Sequence, residues 1–143
     1  MITNQIDTDL KRAMLDRNQL ETDTLKGIKT AFQYARVDKG SELEEDQVIG
    51  ILQKELKKRK EASDLYLKAG NNELYKKELE EALIIEKYLP KALTEAEIEK
   101  LVDEAISNNE SANMGQLIGV VKSKSGGAAE GSLIAKIVRN KLN

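Results

Sequence analysis

Apolar residues recur at intervals of three and four along almost the whole chain, the spacing of helices that bury one face. Ile6, Leu10, Ala13 and Met14 predict a first helix over about residues 3–17. Leu25, Ile28, Phe32 and Ala35 continue the pattern in a second helix. The stretch Asp38-Lys39-Gly40-Ser41 ends it, because glycine accepts the left-handed conformation at a helix C-terminus and serine can cap the next helix. Val48, Ile51, Leu52, Leu56, Ala62 and Tyr66 form the stripe of a third helix, about residues 43–69, which Gly70-Asn71 stops. A fourth, about residues 72–89, carries Leu74, Ala82, Ile85 and Leu89.

Pro90 closes that helix, since its ring clashes with the preceding turn and disfavours helical geometry at Leu89. A domain boundary is expected there, with an N-terminal helical bundle over residues 1–90 and a C-terminal three-helix domain over 91–143. Thr94 followed by Glu97 has the form of a capping box, with hydroxyl and carboxylate each accepting a backbone N–H. Beyond it, Ile98, Leu101, Val102, Ala105 and Ile106 mark a fifth helix; Met114, Leu117, Ile118 and Val121 a short sixth; Leu133, Ile137, Val138 and Leu142 a seventh. Gly115 and Gly119, four apart on the sixth, suggest a close helix contact that lets the seventh pack tightly. The fold class is therefore expected to be all-α, with about four helices in the first domain and three in the second.

Composition supports the same class: one Pro, one Phe, four Tyr and no Trp, in a chain rich in helix formers. With 40% apolar residues in 143, a real core can form without staples. The absence of cysteine removes disulfides, thiolate metal sites and cysteine nucleophiles, and the absence of histidine removes the commonest general base and metal ligand. A carboxylate-only magnesium site or a lysine-based mechanism is what remains for catalysis, so the expectation is a non-catalytic protein without cofactor or metal. Acids interrupt the N-terminal MITNQIDTDLKRAML, which therefore reads as neither signal peptide nor membrane anchor; a cytoplasmic location is expected.

The net charge of −2 argues against a uniformly basic coat, but its distribution is uneven. Over residues 93–110 a single Lys100 stands against six acids, a net −5. Over 111–143, Lys122, Lys124, Lys136, Arg139 and Lys141 stand against Glu130 alone, a net +4. The chain thus ends in a basic helical pair.

Two groups of residues could carry chemistry. Lys57-Lys58-Arg59-Lys60 is the densest basic run, yet four consecutive helical residues point all round the cylinder. Arg59 differs: at about 100° per residue it falls roughly 20° from Val48, on the apolar stripe, with Glu55 one turn before it. Glu78 lies among Leu74, Ala82 and Ile85 on the next helix by the same count. A charge on an inner face needs a partner, so Arg59 is expected to pair with Glu55, Glu78 or both; a metal held by the two glutamates is the less favoured reading. The second group is VVKSKSGGAAEGSL, residues 120–133, where Lys122 and Lys124 precede Gly126-Gly127 and a helix start is expected within residues 128–130. Free N–H groups at a helix start, glycines and lysines can together hold an anion, while a plain interhelical turn explains the same residues. The Walker pattern is absent, so phosphate on a nucleic acid is the better candidate ligand, with Lys136, Arg139 and Lys141 extending the surface.

Two stretches, QKELKKRKEASDLYLKAGNNELYKKELEEALIIEKYLPKALTEAEIEKLVDEAI and MGQLIGVVKSKSGGAAEGSLIAKIVRNKL, resemble the GatB/YqeY family, with Tyr88-Leu89-Pro90 before an acidic capped helix as the most recognisable part. The resemblance covers essentially the whole chain. It implies a helical bundle joined to a small three-helix domain, and a module like the tail of the B subunit of the glutamine-dependent amidotransferase, a carbon–nitrogen ligase acting on misacylated Glu-tRNA or Asp-tRNA. By that resemblance the chain is a free-standing tail-like accessory that binds tRNA or another structured RNA, or joins an amidotransferase-like or translation-related complex, and does not amidate alone. Family members commonly have Gly-Arg-Ala-Asp-Gly where this chain has Gly127-Ala128-Ala129-Glu130-Gly131, so an arginine usual at that point is Ala128 here. The alternative is a protein-interaction module whose C-terminal domain docks a partner while its basic residues only solubilise it.

Overall fold

The computed structural model describes residues 1–143, and every regular element in it is an α-helix. The helices are α1 (Ile2–Leu15), α2 (Gln19–Lys39), α3 (Glu45–Lys68), α4 (Asn72–Glu86), α5 (Glu95–Asn108), α6 (Met114–Ser125) and α7 (Gly131–Leu142). They fall into two compact units, Met1–Leu89 and Pro90–Asn143.

The N-terminal unit consists of two helical hairpins, α1–α2 and α3–α4, and both use the same turn. Where α1 ends, the N–H of Arg17 donates to the carbonyl of Met14 and that of Asn18 to Ala13; where α3 ends, Gly70 donates to Leu67 and Asn71 to Tyr66. This is the Schellman arrangement, which needs a left-handed residue in the middle. Asn18 and Asn71 then serve as N-caps, their side chains accepting the N–H of Glu21 and Leu74. Gly70 adopts φ +76° at no steric cost, whereas Arg17 is forced to φ +56°, the only non-glycine residue with positive φ. The first helix therefore stops at Leu15, two residues earlier than its periodicity suggests.

The buried stripes meet in a core of Ile6 and Leu10 from α1, Leu25, Ile28 and Phe32 from α2, Val48 and Leu52 from α3, and Ile85 and Tyr88 around the end of α4. Ala62 and Tyr66, farther along α3, are only half-buried. α3 starts at Glu45 rather than near residue 43, because Glu44 and Gln47 form a capping box there. α4 ends at Glu86, three residues short of the end expected from Pro90; a last tight turn carries the N–H of Tyr88 to Ile85 and that of Leu89 to Glu86.

In the C-terminal unit Ile98, Val102 and Ala105 of α5, Leu117 and Val121 of α6, and Ile134, Ile137 and Val138 of α7 enclose a second core. Thr94 caps α5 by accepting the N–H of Glu97 at 3.2 Å, but Glu97 takes the Thr94 hydroxyl proton instead of a backbone N–H, so the capping box is half made. A complete box occurs at α6, between Asn113 and Gln116. The close contact expected at Gly115 and Gly119 is not made: a Cβ at Gly119 would meet nothing within 4 Å, and one at Gly115 only the side chain of Asn113.

The shared turn allows a paired test. Replacing Arg17 by Gly removes left-handed strain and is expected to raise stability by about 0.5–1 kcal/mol, while Gly70→Ala introduces it and lowers stability by about 1 kcal/mol. Urea unfolding of the full chain measures both; equal effects of the two substitutions would contradict the turn geometry.

Candidate nucleic-acid interface

The α6–α7 connection is shaped by backbone requirements first. Gly126 ends α6 at φ +59° and Gly127 comes next at φ +85°, two successive left-handed positions that explain the pair of glycines. The turn is pinned on both sides: the carbonyl of Ala128 accepts the N–H of Leu93 at 2.9 Å, and Ala129 is buried in the core. α7 begins at Gly131, just past the expected start, with Glu130 as N-cap. The Glu130 carboxylate makes no capping bond, so the helix's own cap residue leaves the first N–H groups of α7 uncovered. Lys122 lies across this helix start, since a Cβ on Gly131 would stand 3.4 Å from its Cε and 3.5 Å from its Nζ. An ammonium beside the positive end of a helix dipole is unfavourable unless an anion joins them.

The remaining basic residues divide. On α7, Lys136 and Arg139 lie one turn apart on the side opposite Ile134, exposed and without an ion pair. Lys141 is paired at the surface, its Nζ 3.3 Å from Asp103 of α5, so its charge is partly answered within the unit. Lys124 is exposed but two residues from Lys122, about 200° round the helix, and does not share its face. The structure therefore brings Lys122 to the α7 start beside Gly126 and Gly127, keeps Lys136 and Arg139 together, and separates Lys124 and Lys141 from them. The exposed acids Glu95, Glu97, Glu99 and Glu104 lie on α5.

In the N-terminal unit the structure brings Arg59 to Glu55 and Glu78, and to a third partner that periodicity alone did not single out. Arg59 Nη1 is 3.3 Å from Glu78 Oε2 and 3.3 Å from Glu81 Oε2, and Nη2 is 3.8 Å from Glu55 Oε2. Glu81 stands three residues after Glu78 and so shares its face, a signal present in the sequence. Arg59 is not at the centre of the stripe: its side chain is 35% exposed while those of Glu78 and Glu81 are 11%. No group of three or more acidic side chains is disposed around a common point for a metal ion. Two further polar contacts link distant segments: the Tyr88 hydroxyl donates to Asp9 at 2.5 Å, and Arg12 pairs with buried Glu21. Burial, and after it the bond to Asp9, raises the Tyr88 hydroxyl far above the ordinary tyrosine value, so it stays a donor.

Residues 3–142 match the profile of a protein family described as Yqey-like protein. Among curated proteins, one named "Altered inheritance of mitochondria protein 41, mitochondrial" from Lachancea thermotolerans is 29% identical over 101 residues, 70% of this chain and 53% of that protein. Its namesake from Meyerozyma guilliermondii is 34% identical over 86 residues, 60% of this chain and 45% of that protein. The chain spans about half the length of the curated relatives it matches. No helix of the chain is long and apolar enough to cross a membrane.

Replacing Arg59 by Met leaves Glu78 and Glu81 facing each other without a cation. The expected loss is about 1–2 kcal/mol, less than for a fully buried pair because the guanidinium is partly solvated. A lowered urea midpoint checks it; an unchanged midpoint would mean that solvent satisfies the carboxylates.

Proposed function

Since the chain belongs to the Yqey-like protein family, we propose that it is a non-catalytic accessory module that holds structured RNA, with tRNA as the first candidate, by the phosphates. The reading rests on the resemblance to the tail of a tRNA-dependent amidotransferase, and one observation carries it: Lys122 lies exposed and unpaired against the uncapped start of α7, and Lys136 and Arg139 are exposed and unpaired farther along the same helix. Phosphate contact of this kind needs no enzyme chemistry and no base-specific reader. With no tryptophan, and all its Tyr and Phe residues within Met1–Leu89, the C-terminal unit has no stacking platform for single strands, so a structured backbone is the better partner. Lys141, already paired with Asp103, plays the lesser part, and amidation is left to other proteins.

A tRNA mobility shift at two salt concentrations tests this. Binding is expected to weaken steeply with salt, and Lys122→Ala/Lys136→Ala/Arg139→Ala to lower the log–log salt slope by about 2–3, roughly 0.7–0.9 per phosphate lost. Lys141→Ala should change it much less. No shift by the intact chain at low salt would sink the proposal, and salt-indifferent binding of a protein partner would favour docking instead.

A gain of function is expected as well. Ala128→Arg restores the basic residue common at this point of the family and should raise the salt slope by about one, with tighter binding at low salt. Unchanged affinity would remove that position from the interface.

A further inference from the structure

Arg59 is outnumbered. Three carboxylates, Glu55 from α3 and Glu78 and Glu81 from α4, lie within 4 Å of its single guanidinium. Glu78 and Glu81 share the same nitrogen, Nη1, each with its Oε2 at 3.3 Å, so two carboxylates converge on one guanidinium corner. Both residues are 8% exposed, so water screens their repulsion poorly. The other charges around them do not restore balance. From α2, Asp23 lines a cleft of about 210 Å³ with Thr24, Gly27, Glu55, Arg59 and Glu81, adding another acid. From α3, Lys58 reaches only Glu55, at 3.4 Å, with 56% of its side chain in solvent. On α4 itself, Lys77 is exposed.

We propose that Arg59, Glu55, Glu78 and Glu81 form a proton-sensitive clasp between α3 and α4: one proton is held between Glu78 and Glu81, and its loss loosens the clasp. A shared proton turns two repelling carboxylates into a donor and an acceptor while leaving negative charge for Arg59, the arrangement adopted when two like groups cannot both ionise. Burial first, then the Glu78 carboxylate, hold the Glu81 carboxyl above its ordinary value in spite of the lowering pull of Arg59. The folded chain thus binds this proton more tightly than the unfolded chain does. The stabilisation is complete below the ordinary glutamate value and is lost as the pH rises through the raised one. The consequence is a hairpin tied more firmly under mildly acidic than under alkaline conditions.

All four tyrosines, Tyr34, Tyr66, Tyr75 and Tyr88, lie within Met1–Leu89, so tyrosine fluorescence of the full chain reports the unfolding of this unit alone. The urea midpoint monitored this way is expected to fall as the pH is raised from below the ordinary glutamate value into the alkaline range. Glu81→Gln, which keeps a donor facing Glu78 without a titrating proton, should flatten that dependence and raise the midpoint at the alkaline end; Glu80→Gln, at an exposed neighbour, should leave the dependence intact. If Glu81→Gln lowers the midpoint equally at both ends, Glu81 is an ordinary ionised partner of Arg59 and the proposal is overturned, as it is if the dependence survives the substitution. A carboxyl-carbon NMR titration of the unaltered chain gives the same decision without mutation. A Glu81 transition above the ordinary glutamate range supports the clasp, and one within that range overturns it.

Discussion

Each helix of this protein has one apolar stripe and is otherwise charged, and a helix of 12 to 24 residues with a single such stripe is unstable alone in water. The stripes must therefore cover one another, and the rest of the architecture is set by how few ways there are to do this. In the N-terminal unit two hairpins close on each other around Leu25, Leu52 and Ile85; in the C-terminal unit α5, α6 and α7 close around Ile98, Leu117 and Ile134. Short turns make the pairing local, and the repeated Schellman turn with an asparagine cap both ends one helix and starts the next.

Charge enters this packing in two ways. At the α3–α4 contact it is part of the packing: Arg59 lays its stem along the stripe and keeps its guanidinium at the boundary with water, where carboxylates from two helices meet it. Such a cluster selects one register of α3 against α4, because sliding either helix would leave buried Glu78 and Glu81 without a cation. In the C-terminal unit charge is segregated. Acids line α5, and free cations remain on α6 and α7 because only Lys141 finds an acid, Asp103. A nearly neutral chain can in this way present a local positive surface to an anionic partner.

The turn between α6 and α7 shows how a stretch can look like a ligand loop and still be built for the fold. Gly126 and Gly127 are there because the backbone is left-handed, and Ala129 is there because it fills the core. What the turn leaves over is the start of α7, with Lys122 across it and no capping side chain. That remainder supports the phosphate-binding reading, and it exists only because the glycines bring two helices of one unit so close in sequence.

Helix number, helix type and the inner faces were legible in the sequence, because hydrophobic spacing and Gly, Asn and Pro punctuation act over a few residues. The meeting of Arg59 with Glu55 and Glu78 was legible for the same reason, since the face of a helix can be counted; Glu81 was as countable, but was hidden among polar neighbours. Tertiary structure alone decided that Tyr88 reaches Asp9 across 79 residues, and that Lys141 meets Asp103 while Lys136 and Arg139 meet no acid. It also decided that no other helix approaches Gly115 or Gly119 and that Arg17 bears the left-handed strain of a turn which Gly70 bears freely. Local periodicity fixes which way a side chain points from its own helix, but its partner is set by where the other helices come to rest.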